Sequence, residues 1–343
     1  MRVWCVGAGA IGGTVAARLA RAGIAPLVID ADREHVGRLR APGLRVDGLE
    51  RERGTSLDDG SVTPLAACMP DEATGTCDLL LLAVRSQATG AALAPIARHL
   101  GPASDVVSLQ NGLNEERIAA LVGTERTIGC VVGFGATWIG PGHVELTSPG
   151  ELVIGRLGGG QDERLARAQE LLARAFPTRT SGNILGALWG KMLVNSVTVL
   201  GALGGLFLGE LIAWNARVLA HVVAEGVDIA TSDGVALEDV LGLVPPAMIA
   251  ARGDRWLETV ERALMLVGEH FGRVKSVTWR DLELGRPTEI DAVTGELVRR
   301  ASRHGVPAPL NTAAYRMLLE IETGARGIGR ENLEALAGLL PGT

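Results

Sequence analysis

The chain opens on a short apolar run, RVWCV (2–6), followed by a glycine turn and an amphipathic stretch that continues to about Ala22. Gly23 ends that helix, and PLVID (26–30) predicts a second strand. Apolar runs recur at CDLLLLAV (77–84) and DVVSLQ (105–110), with a helical segment near Ala88–Leu100 between them. Continuous apolar strands alternating with helices predict a parallel sheet covered on both faces. TIGCVVGFGATW (127–138) and HVELTSPGELVIG (143–155) predict two later strands around a Gly140-Pro141-Gly142 turn, an antiparallel extension of that sheet. From Asp162 onward helical periodicity dominates, broken at Ser181-Gly182, Pro245-Pro246, Gly285-Arg286-Pro287 and Gly305. The pattern therefore predicts an α/β domain over residues 1–180 and an all-helical domain over 181–343.

Composition narrows the function classes. With 343 residues, 47% hydrophobic and 21% charged, the chain has material for a large core and is not a disordered segment. Lys+Arg at 33 against Asp+Glu at 39 leaves a net charge of −6, and aromatics are only 3%. Neither a phosphate-tracking surface nor stacking platforms are available, so nucleic acid is not an expected partner. Cys5, Cys68, Cys77 and Cys130 form no CxxC pair, which predicts no metal site and reduced, intracellular thiols. The apolar start imitates a secretory signal, but its glycine spacing has the better explanation given below. Met192–Leu208 is 17 residues with Asn195 and three glycines inside, shorter than a membrane span requires. It predicts a core helix, and the expectation is a soluble, cytoplasmic protein with no membrane partner.

Gly7-Ala8-Gly9-Ala10-Ile11-Gly12 is a G-x-G-x-x-G sequence, weak by itself in a chain with 46 glycines. Its context gives it weight: it follows a predicted strand and opens a predicted helix, and a second strand ends at Asp30, 18 residues beyond Gly12. In a Rossmann-type, doubly wound parallel sheet, Gly7 makes the turn, Gly9 lets the backbone approach a pyrophosphate, and Gly12 lets helix and strand pack closely. The helix N-terminus offers N–H groups and partial positive charge to the phosphates. Asp30 falls where the adenine ribose is held; a carboxylate there accepts from both hydroxyls and repels a 2′-phosphate. Asp32 adds to the repulsion while Arg33 opposes it, so the sequence favours NAD over NADP.

Only two of the 33 basic residues are lysines, Lys191 and Lys275. Where a surface cation was needed the chain nearly always has arginine, so the two exceptions mark positions where guanidinium does not serve. Burial can bring a lysine ammonium toward neutrality and make it a proton donor, whereas arginine stays charged. Lys191 lies in the apolar helical stretch LWGKMLVNSV with Asn195 at i+4, one turn away on the same face. The bland alternative is a lysine reaching out of a buried helix beside an interhelical hydrogen bonder. Lys275 lacks such a setting and reads as solvated or at a helix start.

GAGAIG near the start, SLQNGLNEE (108–116), GPGHVELTSPGELVIG (140–155), GKMLVN (190–195) and RPTEIDAVTGELVRRASRHGVPAPLNT (286–312) occur in order. With these five motifs the sequence resembles the ketopantoate reductase (2-dehydropantoate 2-reductase) family over essentially its whole length. The resemblance implies a Rossmann domain followed by a helical one. It also implies hydride transfer between nicotinamide and the C2 carbonyl of a 2-oxo acid. It makes Lys191 the general acid, Asn111 a contact of both nicotinamide and substrate, Asn195 a substrate contact, and Glu289 a contact of cofactor or substrate hydroxyls. Arg85 falls where the family carries a cofactor-contacting lysine. Each has a plainer reading too: Asn111-Gly112 is a common turn dipeptide, and Thr288-x-x-Asp291 looks like a helix cap that would place Glu289 in a first turn.

The departures from the family pattern concern the substrate. Val199 stands where a second asparagine is usual, Leu208-Gly209 where a third is, and Val277 where a serine is, although Ser276 and Thr278 flank it. A pocket that loses these partners discriminates poorly for a hydroxylated substrate. The expected substrate is therefore ketopantoate or, in better agreement with these changes, a more apolar 2-oxo acid or related carbonyl compound. Rival readings are a β-hydroxyacid dehydrogenase, which also has a Lys-x-x-x-Asn pair, an opine- or imine-type dehydrogenase, and a non-catalytic dinucleotide sensor. The apolar helices around 185–232 fit either a homodimer interface or packing within the helical domain.

Overall fold

The computed structural model describes residues 1–48, 59–238 and 255–340; the Pro245-Pro246 break lies outside them. The chain forms two compact units, Met1–Ile184 and Leu185–Thr343.

Among the described residues the first unit is built on twelve strands. Eight form one sheet: β1 (Val3–Val6), β2 (Leu27–Ile29), β5 (Ala66–Cys68), β6 (Cys77–Leu82), β7 (Leu100–Ser108), β8 (Thr127–Val132), β11 (Leu152–Arg156) and β12 (Thr178–Thr180). Their spatial order is β12-β11-β8-β7-β6-β1-β2-β5, and the pairs from β5 to β8 are parallel. From β1 the chain runs outward through β2 to β5 and then returns to β6 on the other side of β1. That reversal makes the carboxyl ends of β1 and β6 the crevice where ligands of such sheets bind.

Period-two alternation builds a core on each face. Val3 and Cys5 of β1 and Leu79 and Leu81 of β6 pack with Val15, Ala16 and Leu19 of α1 (Ala10–Arg21). Trp4, Val6, Leu80 and Leu82 point the other way, onto Leu93 of α3 (Thr89–Leu93) and Ile118 of α4 (Glu115–Val122), while Val36 and Leu39 of α2 (Arg33–Arg40) join the core on the α1 side.

The antiparallel extension exists, but it is divided differently. The expected strand 127–138 is two strands in two sheets, β8 and β9 (Gly135–Gly140), separated by Gly133-Phe134. The run 143–155 likewise divides into β10 (His143–Ser148) and β11 around Pro149-Gly150. Within the main sheet β11 pairs antiparallel to β8, while a separate four-stranded sheet has the order β4-β3-β10-β9, with β3 (Leu44–Gly48) and β4 (Asp59–Thr63). The helix expected over 88–100 is only α3 and a 3-10 turn, because β7 already begins at Leu100. After α5 (Glu163–Leu172) the chain adds β12 before it becomes helical.

The second unit contains α6 (Ile184–Thr198), α7 (Leu200–Gly204), α8 (Leu208–Ser232), α9 (Trp256–Phe271), α10 (Val277–Glu283), α11 (Thr294–His304), α12 (Pro309–Glu322) and α13 (Arg330–Ala337). Its core joins Leu200 and Leu203 to Leu219, Val222 and Val227 of α8, Leu310 and Leu318 of α12, and Leu333 of α13. Helix α8 kinks at Asn215, whose side-chain Oδ1 accepts from Val218 N–H at 3.2 Å and caps the continuing helix. The start of α12 has no cap of its own; the Glu225 carboxylate accepts from the backbone N–H groups of Leu310 and Asn311, each at 2.9 Å. The run Ile184–Gly204 is long and apolar enough to cross a membrane, yet 72% of its most apolar window is buried, as in a core helix.

Candidate active site

The glycine loop closes the gap between β1 and α1. Gly7 has φ +89°, a left-handed conformation open to glycine, and any side chain there would meet Val84. A Cβ on Gly12 would lie 2.0 Å from Gly7 O and 2.7 Å from Ala83 Cβ, so the helix can approach β6 this closely only without one. Around Gly9 there is open space, and no side chain caps α1 there. The turn thus leaves Gly9 and the first turn of α1 (Ala10, Ile11) facing an unobstructed region at a helix N-terminus, which suits the pyrophosphate of a dinucleotide.

Between the first two glycines, Ala8 is held from both sides. Its N–H donates to Asp30 Oδ2 at 2.7 Å, and its carbonyl accepts from His35 Nε2 at 2.9 Å. The other Asp30 oxygen accepts from Asp32 N–H at 2.9 Å, and Asp32 caps α2 by accepting from His35 N–H at 3.0 Å. Asp30 therefore anchors the loop at the end of β2 while each oxygen keeps lone-pair capacity for a further donor.

The loops after β6 and β7 are joined by a buried polar network. Ser86 Oγ donates to Asn111 O at 2.7 Å, and Asn114 Nδ2 donates to Ser86 Oγ at 3.0 Å and to Asn111 O at 2.8 Å. Gln110 Nε2 donates to Val84 O and Thr89 Oγ1, both at 2.8 Å. The Asn111 carbonyl is thereby tied inward at the crevice edge, and its carboxamide takes no part in the network. Arg85 begins the turn that follows β6, on the same rim. Ser86, Thr89, Gln110, Asn114 and His35 were not legible as site residues: single polar residues in a loop carry no spacing signal until the two loops are seen to meet.

In the second unit Lys191 and Asn195 lie one turn apart on α6, both half-buried. Among the described residues Lys191 has no hydrogen bond or ion pair, and burial pushes its ammonium below the usual lysine range. Lys275 is different: its ammonium pairs with Glu283 and lies 4.0 Å from the centre of the Trp279 ring. Ser276 is buried and caps α10, its hydroxyl accepting from Trp279 N–H at 3.1 Å. Glu289 is half-buried in the loop that follows. The helix expected to start near Thr288 starts instead at Thr294; Thr288 donates through N–H (2.8 Å) and hydroxyl (3.1 Å) to the Glu322 carboxylate, which fixes the residue next to Glu289. Val199 and Leu208 are buried in the apolar core, and Val277 is 55% exposed.

The sequence model of the family "Ketopantoate reductase PanE/ApbA" matches residues 3–159, and that of its C-terminal part matches 183–322. A 2-dehydropantoate 2-reductase of Pyrococcus abyssi is 29% identical over 325 residues, covering 93% of this chain and 97% of that protein. One from Halobacterium salinarum is 29% identical over 318 residues, covering 90% and 95%. The crystal structure of a PanE/ApbA family ketopantoate reductase from Ralstonia eutropha JMP134 superposes with a TM-score of 0.78 at 29% identity, covering 94% of this chain and 99% of that one. D-mandelate dehydrogenase in a ternary structure with NADH and anilino(oxo)acetate shares the fold at a TM-score of 0.80 and 21% identity, with coverage of 94% and 99%. From the glycine turn at β1 to the helices that end near residue 322, the chain belongs to the ketopantoate reductase family of NAD(P)-dependent oxidoreductases.

Proposed function

We propose that the protein reduces the C2 carbonyl of a 2-oxo acid with an apolar side chain, using NADH in preference to NADPH, with Lys191 as general acid. The observation that carries this reading is Lys191: a half-buried ammonium without an ion-pair partner among the described residues, with Asn195 one turn away. An ammonium left unpaired in such a setting needs a compensating role. A negatively charged oxygen that develops as hydride reaches a carbonyl carbon supplies one: Lys191 attracts that charge and delivers a proton to it. Bound reduced nicotinamide supplies the hydride. Asn111, with its carbonyl tied inward, keeps its carboxamide for nicotinamide or substrate; Asn195 and Glu289 hold substrate polar groups, and Arg85 contacts the cofactor.

Two features support the finer assignments. For the cofactor, Asp30 is fixed at the end of β2 as an acceptor, and Asp32 stands two residues on, so a 2′-phosphate would meet two carboxylates. For the substrate, the side chains of Val199 and Leu208 lie in the apolar core and that of Val277 is largely exposed, so none of the three supplies a substrate hydrogen bond, and the Ser276 hydroxyl accepts the N–H that starts α10. A homodimer is consistent with a family relative described as dimeric, a ketopantoate reductase from Staphylococcus aureus.

The test is a cofactor-oxidation screen over ketopantoate and branched and aromatic 2-oxo acids, with NADH and NADPH. The expected result is a higher kcat/KM for an apolar 2-oxo acid than for ketopantoate, and at least tenfold more for NADH than NADPH. A several-hundredfold preference for ketopantoate overturns the substrate assignment. Lys191→Ala is expected to lower kcat by a factor on the order of 100 to 10,000. Lys191→Arg keeps the charge without a transferable proton and should recover little. Since Lys191 must be protonated to act, the reduction rate should fall with rising pH at a midpoint below that of an ordinary lysine.

A further inference from the structure

His35 is 1% exposed and touches two parts of the first unit that are distant in sequence. Its Nδ1 accepts from the backbone N–H of Gly142 at 2.9 Å, in the turn between β9 and β10. A nitrogen that accepts from an N–H carries no proton, so the proton is on Nε2, which donates to Ala8 O at 2.9 Å. The ring also packs edge-on against Trp138 of β9, with centroids 4.4 Å apart. One imidazole thus ties the four-stranded sheet to the peptide between Gly7 and Gly9.

We propose that His35 is a positioning residue for the dinucleotide loop, and that the β9–β10 hairpin is a strut that keeps this loop in its binding conformation. The proposal rests on the family's assignment of the glycine turn to the cofactor. Ala8 N–H is fixed by Asp30 and Ala8 C=O by His35, so the two peptide planes on either side of Ala8, one shared with Gly7 and one with Gly9, are both set before a ligand arrives. Orientation fixed in advance is ordering that binding need not supply. Removing Asp30 also changes the ribose contact and hence the discrimination between cofactors. Removing His35 alters only loop order, so NADH and NADPH should lose affinity by the same factor while chemistry on the bound complex is untouched.

The experiment uses the full-length protein, with His35→Phe to keep the ring against Trp138 without its nitrogens, and His35→Gln to restore one donor and one acceptor. Fluorescence titration should show NADH and NADPH Kd values raised at least tenfold in His35→Phe. At saturating cofactor its kcat should stay within twofold, and His35→Gln should recover most of the affinity. A His35→Phe protein that binds NADH within twofold of the parent overturns the proposal, as does a folded His35→Gln that recovers nothing. Should His35→Phe not fold, amide exchange in the unaltered chain decides. By reciprocity NADH should slow exchange at residues 139–143 at least fivefold, and no slowing sinks the idea. A parent chain that binds neither nucleotide overturns the cofactor assignment itself, and is recognised by that absence of binding.

Discussion

Glu115, the first residue of α4, is 1% exposed, and its carboxylate forms no ion pair among the described residues. Burial pushes its carboxyl up to about 7 from an ordinary 4.5, outweighing hydrogen bonds from backbone N–H groups and Ser108 that favour the carboxylate, and Glu116 adds repulsion in the direction of burial. The folded protein therefore holds a proton there that the unfolded chain releases. Its stabilising effect is complete below about pH 4.5 and is lost as pH rises through about 7. Glu115→Gln removes the titration while keeping the shape. Relative to the parent, the variant should gain on the order of 2–3 kcal/mol between pH 5 and pH 8, read from urea unfolding at both; parallel pH profiles would show that Glu115 does not titrate in this range. Composition singled out the other informative residues: the scarcity of lysine drew attention to Lys191 and Lys275, but only packing separates an ammonium without an ion pair from one paired with Glu283. Glu115 carried no such mark, because an acidic residue in NEER reads as an ordinary start of a helix.

At the scale of elements, legibility followed the length and apolarity of the run. The β1–turn–α1 unit, β6 and the carboxyl half of β7 stood out because their strands are buried on both faces and read as continuous hydrophobic stretches. The second sheet did not. Its strands are short and partly exposed, and β3 finds its parallel partner β10 almost a hundred residues later, a pairing that local periodicity cannot announce. Likewise 127–138 reads as one strand until Gly133-Phe134 is seen to carry the chain from one sheet to the other. The crossing of α1 over β6 gives the sharpest elemental prediction. Gly12→Ala would put a methyl into the Gly7 carbonyl and the Ala83 side chain, both well inside contact distance and one of them backbone. Overpacking of this kind costs on the order of 1–3 kcal/mol. Since the strain falls on the turn itself, NADH binding should fall at least tenfold in titrations of folded protein. Unchanged affinity would mean the helix can retreat without moving the loop.

Over the whole molecule the proposed roles divide between the two units: the residues read as cofactor contacts lie in the first except for Glu289, and the proposed proton donor lies in the second. Cofactor binding and proton delivery should accordingly be separable by substitution. A ligand that binds only the folded state stabilises it by RT ln(1 + [L]/Kd), about 2.7 kcal/mol at a hundredfold excess over Kd. Saturating NADH should therefore raise the unfolding temperature of the parent and of Lys191→Ala by the same amount, although the latter has lost most of its turnover. The Gly12→Ala protein should show the opposite combination at a fixed NADH concentration, with little thermal shift but substantial turnover restored by raising the cofactor. A non-catalytic nucleotide sensor would share the first thermal result but would have no turnover for Lys191→Ala to remove. Thermal shift and turnover measured together on these three proteins thus separate an enzyme whose lysine serves chemistry from a chain in which the same lysine only completes a helix.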